Sequence, residues 1–151
     1  MYIVTALDGL YMEDQAATCS LETARKLFAE WAEKWNIPIE PGKNECIMGE
    51  KGVYMSTTSL DRDTHTVYAV TISAPNDIDS HIDAYTCIDD AIKQYLRTVD
   101  WMYSNISDRD NEGNNFVDTI VLILESYKHS PFNDSVWFDD NSVTFRTLEI
   151  V

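Results

Sequence analysis

The sequence predicts an α+β fold: an antiparallel sheet of about five or six strands, built from a meander and a C-terminal hairpin, with two or three helices packed mainly on one face. Three observations lead there. Apolar residues recur at three- and four-residue steps in two stretches, around residues 21–35 and 78–106. Between and after them stand short β-branched and aromatic runs bounded by Gly, Asp and Asn. The 151 residues are 44% hydrophobic and 11% aromatic with only five Gly and four Pro, enough apolar mass for one acidic globular domain over 1–151 and too little Gly and Pro for a disordered chain.

The elements follow in order. Met1 to Leu7 alternates β-branched and small residues and reads as a strand, closed by a turn at Asp8 and Gly9. Ser20 is placed to cap a helix whose apolar stripe is Leu21, Ala24, Phe28, Trp31 and Trp35, with Glu22/Lys26 and Glu30/Lys34 spaced to pair on the polar side. Asn36 and Pro38 end it. Glu45 to Met48 and Val53 to Ser59 flank the turn residues Gly49 to Gly52, and Thr64 to Ala74 is a third strand, so a three-stranded meander is expected before Pro75. From Asp77 a helical period carries Ile78, Ile82, Tyr85, Ile92, Leu96, Val99, Tyr103 and Ile106, a stripe wide enough for a helix lying across a sheet. Phe116 to Tyr127 has both a helical spacing and a strand-like run, and helix is favoured because Asn114 or Asn115 can cap it. Ser135 to Phe138, the turn Asp139 to Asn141, and Ser142 to Ile150 form a second hairpin.

Several classes are excluded or disfavoured. No apolar run approaches the roughly 20 residues of a membrane-spanning helix. The first eight residues lack a basic segment and meet an acid directly after their apolar part, so no signal peptide is expected and the chain is expected in the cytoplasm. Cys19, Cys46 and Cys87 have neither an even count nor ligand spacing, and each is read as a small buried hydrophobe. With 26 Asp and Glu against 11 Lys and Arg, the formal charge is −15. Phosphate backbones and anionic lipid would be repelled over a Debye length of about 8 Å, so neither nucleic acid nor membrane is expected as a direct partner.

Motifs for chemistry are sparse. Asp108, Asp110, Glu112 and Gly113 occupy positions one, three, five and six of a calcium-loop spacing, which supplies hard oxygens and a sharp turn. The spacing then fails, with Asn115 where an apolar residue belongs and Thr119 in place of the bidentate Glu, so a metal site there is the weaker reading and no metal or cofactor is expected. His65, His81 and His129 form no ligand pair or two-histidine phosphoesterase signature, and no nucleophile elbow or phosphate-cradling loop is present. Close carboxylates such as Asp61/Asp63, Asp77/Asp79 and Asp89/Asp90 arise by chance in so acidic a chain and do not argue for acid/base catalysis. No enzymatic activity is expected.

The charge is unevenly placed. Residues 1–75 hold 11 acids and 6 bases, net −5; residues 76–151 hold 15 and 5, net −10. Spread evenly, such a charge gives roughly one net negative per 500 Å², which does no more than keep a protein soluble; mimicry of a nucleic acid needs local clustering. The second half offers candidates: Asp100, Asp108, Asp110, Glu112 and Asp118 around Trp101, and Asp134, Asp139 and Asp140 around Trp137. An aromatic within an acidic rim has the composition of an interface anchor.

In size and charge, though not through any motif, the chain resembles the acidic inhibitors that bacteriophages direct at restriction or CRISPR nucleases and the immunity proteins that neutralise nuclease toxins. That resemblance implies a protein-binding inhibitor whose carboxylates occupy the basic surface of a nuclease or other nucleic-acid-binding protein. The alternatives are a small-molecule or metal-binding domain using Tyr54, Tyr68 or Tyr95, and a non-catalytic subunit of a larger or homo-oligomeric assembly.

Overall fold

The computed structural model describes residues 1–60, 65–73, 81–106, 133–138 and 141–151. Among the described residues it contains two antiparallel sheets of four strands each and two helices. The chain divides into two compact units, residues 1–67 with 148–151, and residues 68–147.

In the first unit, β1 (Tyr2–Asp8) and β2 (Tyr11–Thr18) form a hairpin around Gly9, whose φ of +58° is the left-handed conformation the tight turn requires. After α1 (Leu21–Lys34) come β3 (Glu45–Met48) and β4 (Lys51–Thr57), and the strand order is β2-β1-β4-β3. β1 is central, and Ile3 to Leu7 are buried without a break, as expected of a strand covered on both faces. Ser20 Oγ accepts the Thr23 N–H at 3.2 Å and starts α1; Asn36, at φ +56°, leaves it. Ala24, Phe28 and Ala32 bury against Val4, Ala6, Val53 and Met55, with Trp31 and Trp35 at the margin of that core. The two alanines let the helix approach closely while Phe28 supplies the volume, worth roughly 1.5–3 kcal/mol of apolar burial. At the end of the chain Ile150 bridges in parallel to Ala17, extending β2 on its open side.

The second unit is built on β5 (Thr66–Ser73), β6 (His81–Tyr85), α2 (Ile88–Ile106), β7 (Asn133–Phe138) and β8 (Asn141–Glu149), in the strand order β6-β5-β8-β7. β5 and β8 each begin or end within the first unit's residues. Ala91, Ile92, Tyr95, Val99 and Met102 of α2 pack on Val70, Ile72, Val136, Val143 and Phe145. Tyr95 meets Phe145 edge-to-face at 5.8 Å between centroids, an arrangement favoured by the ring quadrupoles.

The α+β class therefore stands, as do the capped first helix, the hairpin around Gly49 and the C-terminal hairpin. Three expectations are corrected. The meander divides: β4 pairs with β1 and β3, and β5 pairs instead with β6 in the other sheet, so one sheet of five or six strands becomes two of four. The slot beside β4 that a third meander strand would take is filled by β1. The helix expected from Asp77 begins only at Ile88, because His81 to Tyr85 pair with Ile72 to Tyr68; the spacing of Ile82 and Tyr85 imitates a helix but belongs to a strand. β2 had no counterpart, since its Glu13, Asp14 and Gln15 mask any strand pattern. On the surface of α1 the ion pair is Lys26–Glu30 at 3.8 Å, not either of the pairs the spacing suggested. Pro75 and the segment Phe116 to Tyr127 lie outside the described residues.

Candidate functional site

Of the acidic and aromatic candidates of the second half, Asp100 and Trp101 lie on α2 and Asp134 and Trp137 on β7. On α2, Val99 and Met102 point into the core, so the 100° step between residues turns Asp100 and Trp101 outward; Asp100 is exposed and Trp101 retains 49% of its surface. On β7, Val136 faces the same core, so alternation sends Trp137 to the sheet face away from α2, where it is 53% exposed. Trp101 and Trp137 thus stand on opposite sides of this sheet. Asp134 lies on β7 opposite Phe145. Asp108, Asp110, Glu112, Asp118, Asp139 and Asp140, and with them the calcium-loop spacing, lie outside the described residues.

The electrostatics of α2 run one way. Asp89 and Asp90 lie in its first turn, where the helix dipole is positive, and its last turn holds no basic residue. The partial negative charge at that end is therefore uncompensated by the helix's own last turn, and Asp100 lies exposed on the helix before that turn. In sequence this end leads straight into the segment bearing Asp108, Asp110 and Glu112.

The other candidates separate clearly. Tyr95 is wholly buried and spent on packing; Tyr68 lies at the margin of the same core. Tyr54 is half-buried, and its hydroxyl is pushed above the usual tyrosine value by burial and by the nearby Glu45 and Cys46. Cys46 is buried as expected, whereas Cys19 and Cys87 are exposed, a correction that follows from their places just outside α1 and α2. His81 Nε2 lies 3.6 Å from Asp83 Oδ2 on the exposed edge strand β6, and Gln94 Nε2 donates to the same carboxylate oxygen at 3.4 Å. His65 is exposed, and His129 lies outside the described residues. Among the described residues no three His, Cys, Asp or Glu side chains gather as a metal would need.

One surface escaped the sequence reading. The cross-strand register sets Tyr11 of β2, Asp8 of β1, Lys51 of β4 and Met48 of β3 in a single row at the end of the first sheet. Tyr11 is 64% exposed and Met48 47%. Lys51 Nζ is 3.4 Å from Asp8 Oδ2 and 5.3 Å from the centroid of the Trp35 ring, and the Gly9 N–H donates to the Glu50 carbonyl at 2.7 Å, tying the two turns together. The pairing of β2, which its sequence conceals, brings Tyr11 into the row.

No protein-family model matches the chain, and no curated protein or solved structure matches it either.

Proposed function

We propose that the protein is an acidic protein-binding inhibitor that occupies the basic, nucleic-acid-binding surface of a partner, a nuclease or another protein that grips phosphates. The observation that carries this reading is the charge of −15 with −10 in residues 76–151. The outward-facing Asp100 and Trp101 on α2, and the absence of a basic residue in the last turn of that helix, support it. Carboxylates placed where phosphates are expected would speed association through electrostatic steering, and exposed aromatics would supply the contact area that slows dissociation. Trp101 and Trp137 lie on opposite sides of their sheet, so the partner is engaged either through one of them or around the edge strand β7.

The test is competition. The partner captured from the native host should release the protein when DNA or RNA is added, and its association rate should fall with added salt. Reversing the charges at Asp108, Asp110 and Glu112, or at Asp134, Asp139 and Asp140, should slow association by about tenfold or more, within the range that steering contributes. A partner that ignores nucleic acid and both triple variants would sink the reading.

A further inference from the structure

The row at the end of the first sheet already holds a cation between a carboxylate and an aromatic ring. Lys51 Nζ sits 3.4 Å from Asp8 Oδ2 and 5.3 Å from the Trp35 centroid, with Tyr11 and Met48 exposed on either side along the same row. Asp14, opposite Ala6, lies exposed on the same sheet face, and Glu50 stands in the adjoining turn. The lysine's hold is weak, since both side chains of the pair keep about two fifths of their exposure, 41% for Lys51 and 37% for Asp8. A guanidinium suits the same partners better than an ammonium does. It pairs with a carboxylate through two parallel N–H donors, stacks its plane on an indole, and sheds water more readily.

We propose that this row is a docking surface for an arginine side chain of a basic partner, which takes the place of Lys51 between Asp8 and Trp35 and lies against Tyr11 and Met48. The complementarity lies in the carboxylates Asp8, Asp14 and Glu50 around exposed aromatic and thioether surface. It rests on the reading that the partner is basic, and it assigns the contact to the first unit rather than to the more acidic second half of the chain. Lys51 is then an internal competitor: it keeps Asp8 partnered until the guanidinium arrives.

The test uses the whole chain, labelled with nitrogen-15, titrated with an acetylated and amidated peptide of alternating Arg and Gly and with its Lys counterpart of equal charge. The arginine peptide is expected to bind several-fold tighter and to shift the Trp35 indole and the amides of Gly9, Tyr11, Glu50 and Lys51. Lys51→Met should tighten binding by up to about fivefold, the factor by which an exposed ion pair can compete. Asp8→Asn should weaken it by about tenfold, the loss expected for a hydrogen bond to a charged group. Circular dichroism verifies that both variants keep the fold. Equal affinity for the two peptides, or a Lys51→Met chain that binds no tighter, overturns the proposal. So do shifts confined to residues 68–147, which would leave a basic partner in place and move its contact to the second unit, whereas failure of nucleic acid to compete bears on the proposed function alone.

Discussion

Gly52 is a position where a single methyl group decides the packing. The Tyr54 ring lies over it, and a Cβ at residue 52 would stand 2.7 Å from the tyrosine hydroxyl oxygen, closer than a Cβ approaches another heavy atom. Gly52→Ala must swing that ring away from its half-buried place, so it is expected to lower stability by about 1–2 kcal/mol, read from the urea midpoint at unchanged slope. Beside it, burial pushes the Cys46 thiol above its ordinary 9.0, only partly offset by a backbone hydrogen bond from Val53. Tyr54 is likewise held above 10.0. Both groups keep their protons more tightly folded than unfolded. Their contribution is complete below the unfolded values and is lost as the pH rises through the folded ones. Stability should therefore decline from about pH 9 upward, first through Cys46 and then through Tyr54. In Cys46→Ala the decline should begin nearer pH 10; an unaltered pH profile would show that the thiol has no part in it.

Elements differ in how openly their sequences declare them. α1 announces itself through purely local signals: a cap at Ser20, a stripe at helical spacing and a left-handed exit at Asn36. Ser20→Ala should cost about 1 kcal/mol, with most of it recovered by Ser20→Asp, whose carboxylate can accept the same N–H. Phe28→Ala should cost about 3–5 kcal/mol, because Ala24 and Ala32 on either side cannot fill the cavity. Both are measured by chemical denaturation. β6 shows the opposite case. Its Ile82 and Tyr85 stand at a helical interval from residues further on, yet the backbone pairs with β5, and the helix starts only where the Ala91 N–H first reaches the Cys87 carbonyl. β2 declares nothing, because an outer strand with acids on its open positions has no apolar alternation to show. The outward face of Trp101 was legible as soon as Val99 and Met102 were assigned to the core, and that of Trp137 once Val136 was. The Tyr11–Asp8–Lys51–Met48 row was not, since it joins four strands through a register that no local pattern specifies.

Across the whole molecule the net charge of −15 acts on folding as well as binding. Crowding like charges on a compact surface opposes folding, and salt relieves that repulsion within a Debye length. The melting temperature should therefore rise between about 10 and 150 mM sodium chloride, over which the Debye length shrinks from roughly 30 to 8 Å; a flat or falling curve would mean that local ion pairs, such as Lys51–Asp8, outweigh the overall repulsion. The α+β class, the charge and its excess in the second half, the capped α1 and the hairpins around Gly49 and before Asn141 follow from composition and local signals alone. The pairing of β4 with β1, the place of β5 in a second sheet, the strand at residues 81–85, and the row of Tyr11, Asp8, Lys51 and Met48 with Lys51 over the Trp35 ring emerge only in the assembled chain. Helix caps and tight turns are satisfied by groups a few residues apart. A strand's hydrogen bonds are satisfied by whichever distant strand closes the sheet with the most buried apolar surface, and that choice is a property of the assembled chain.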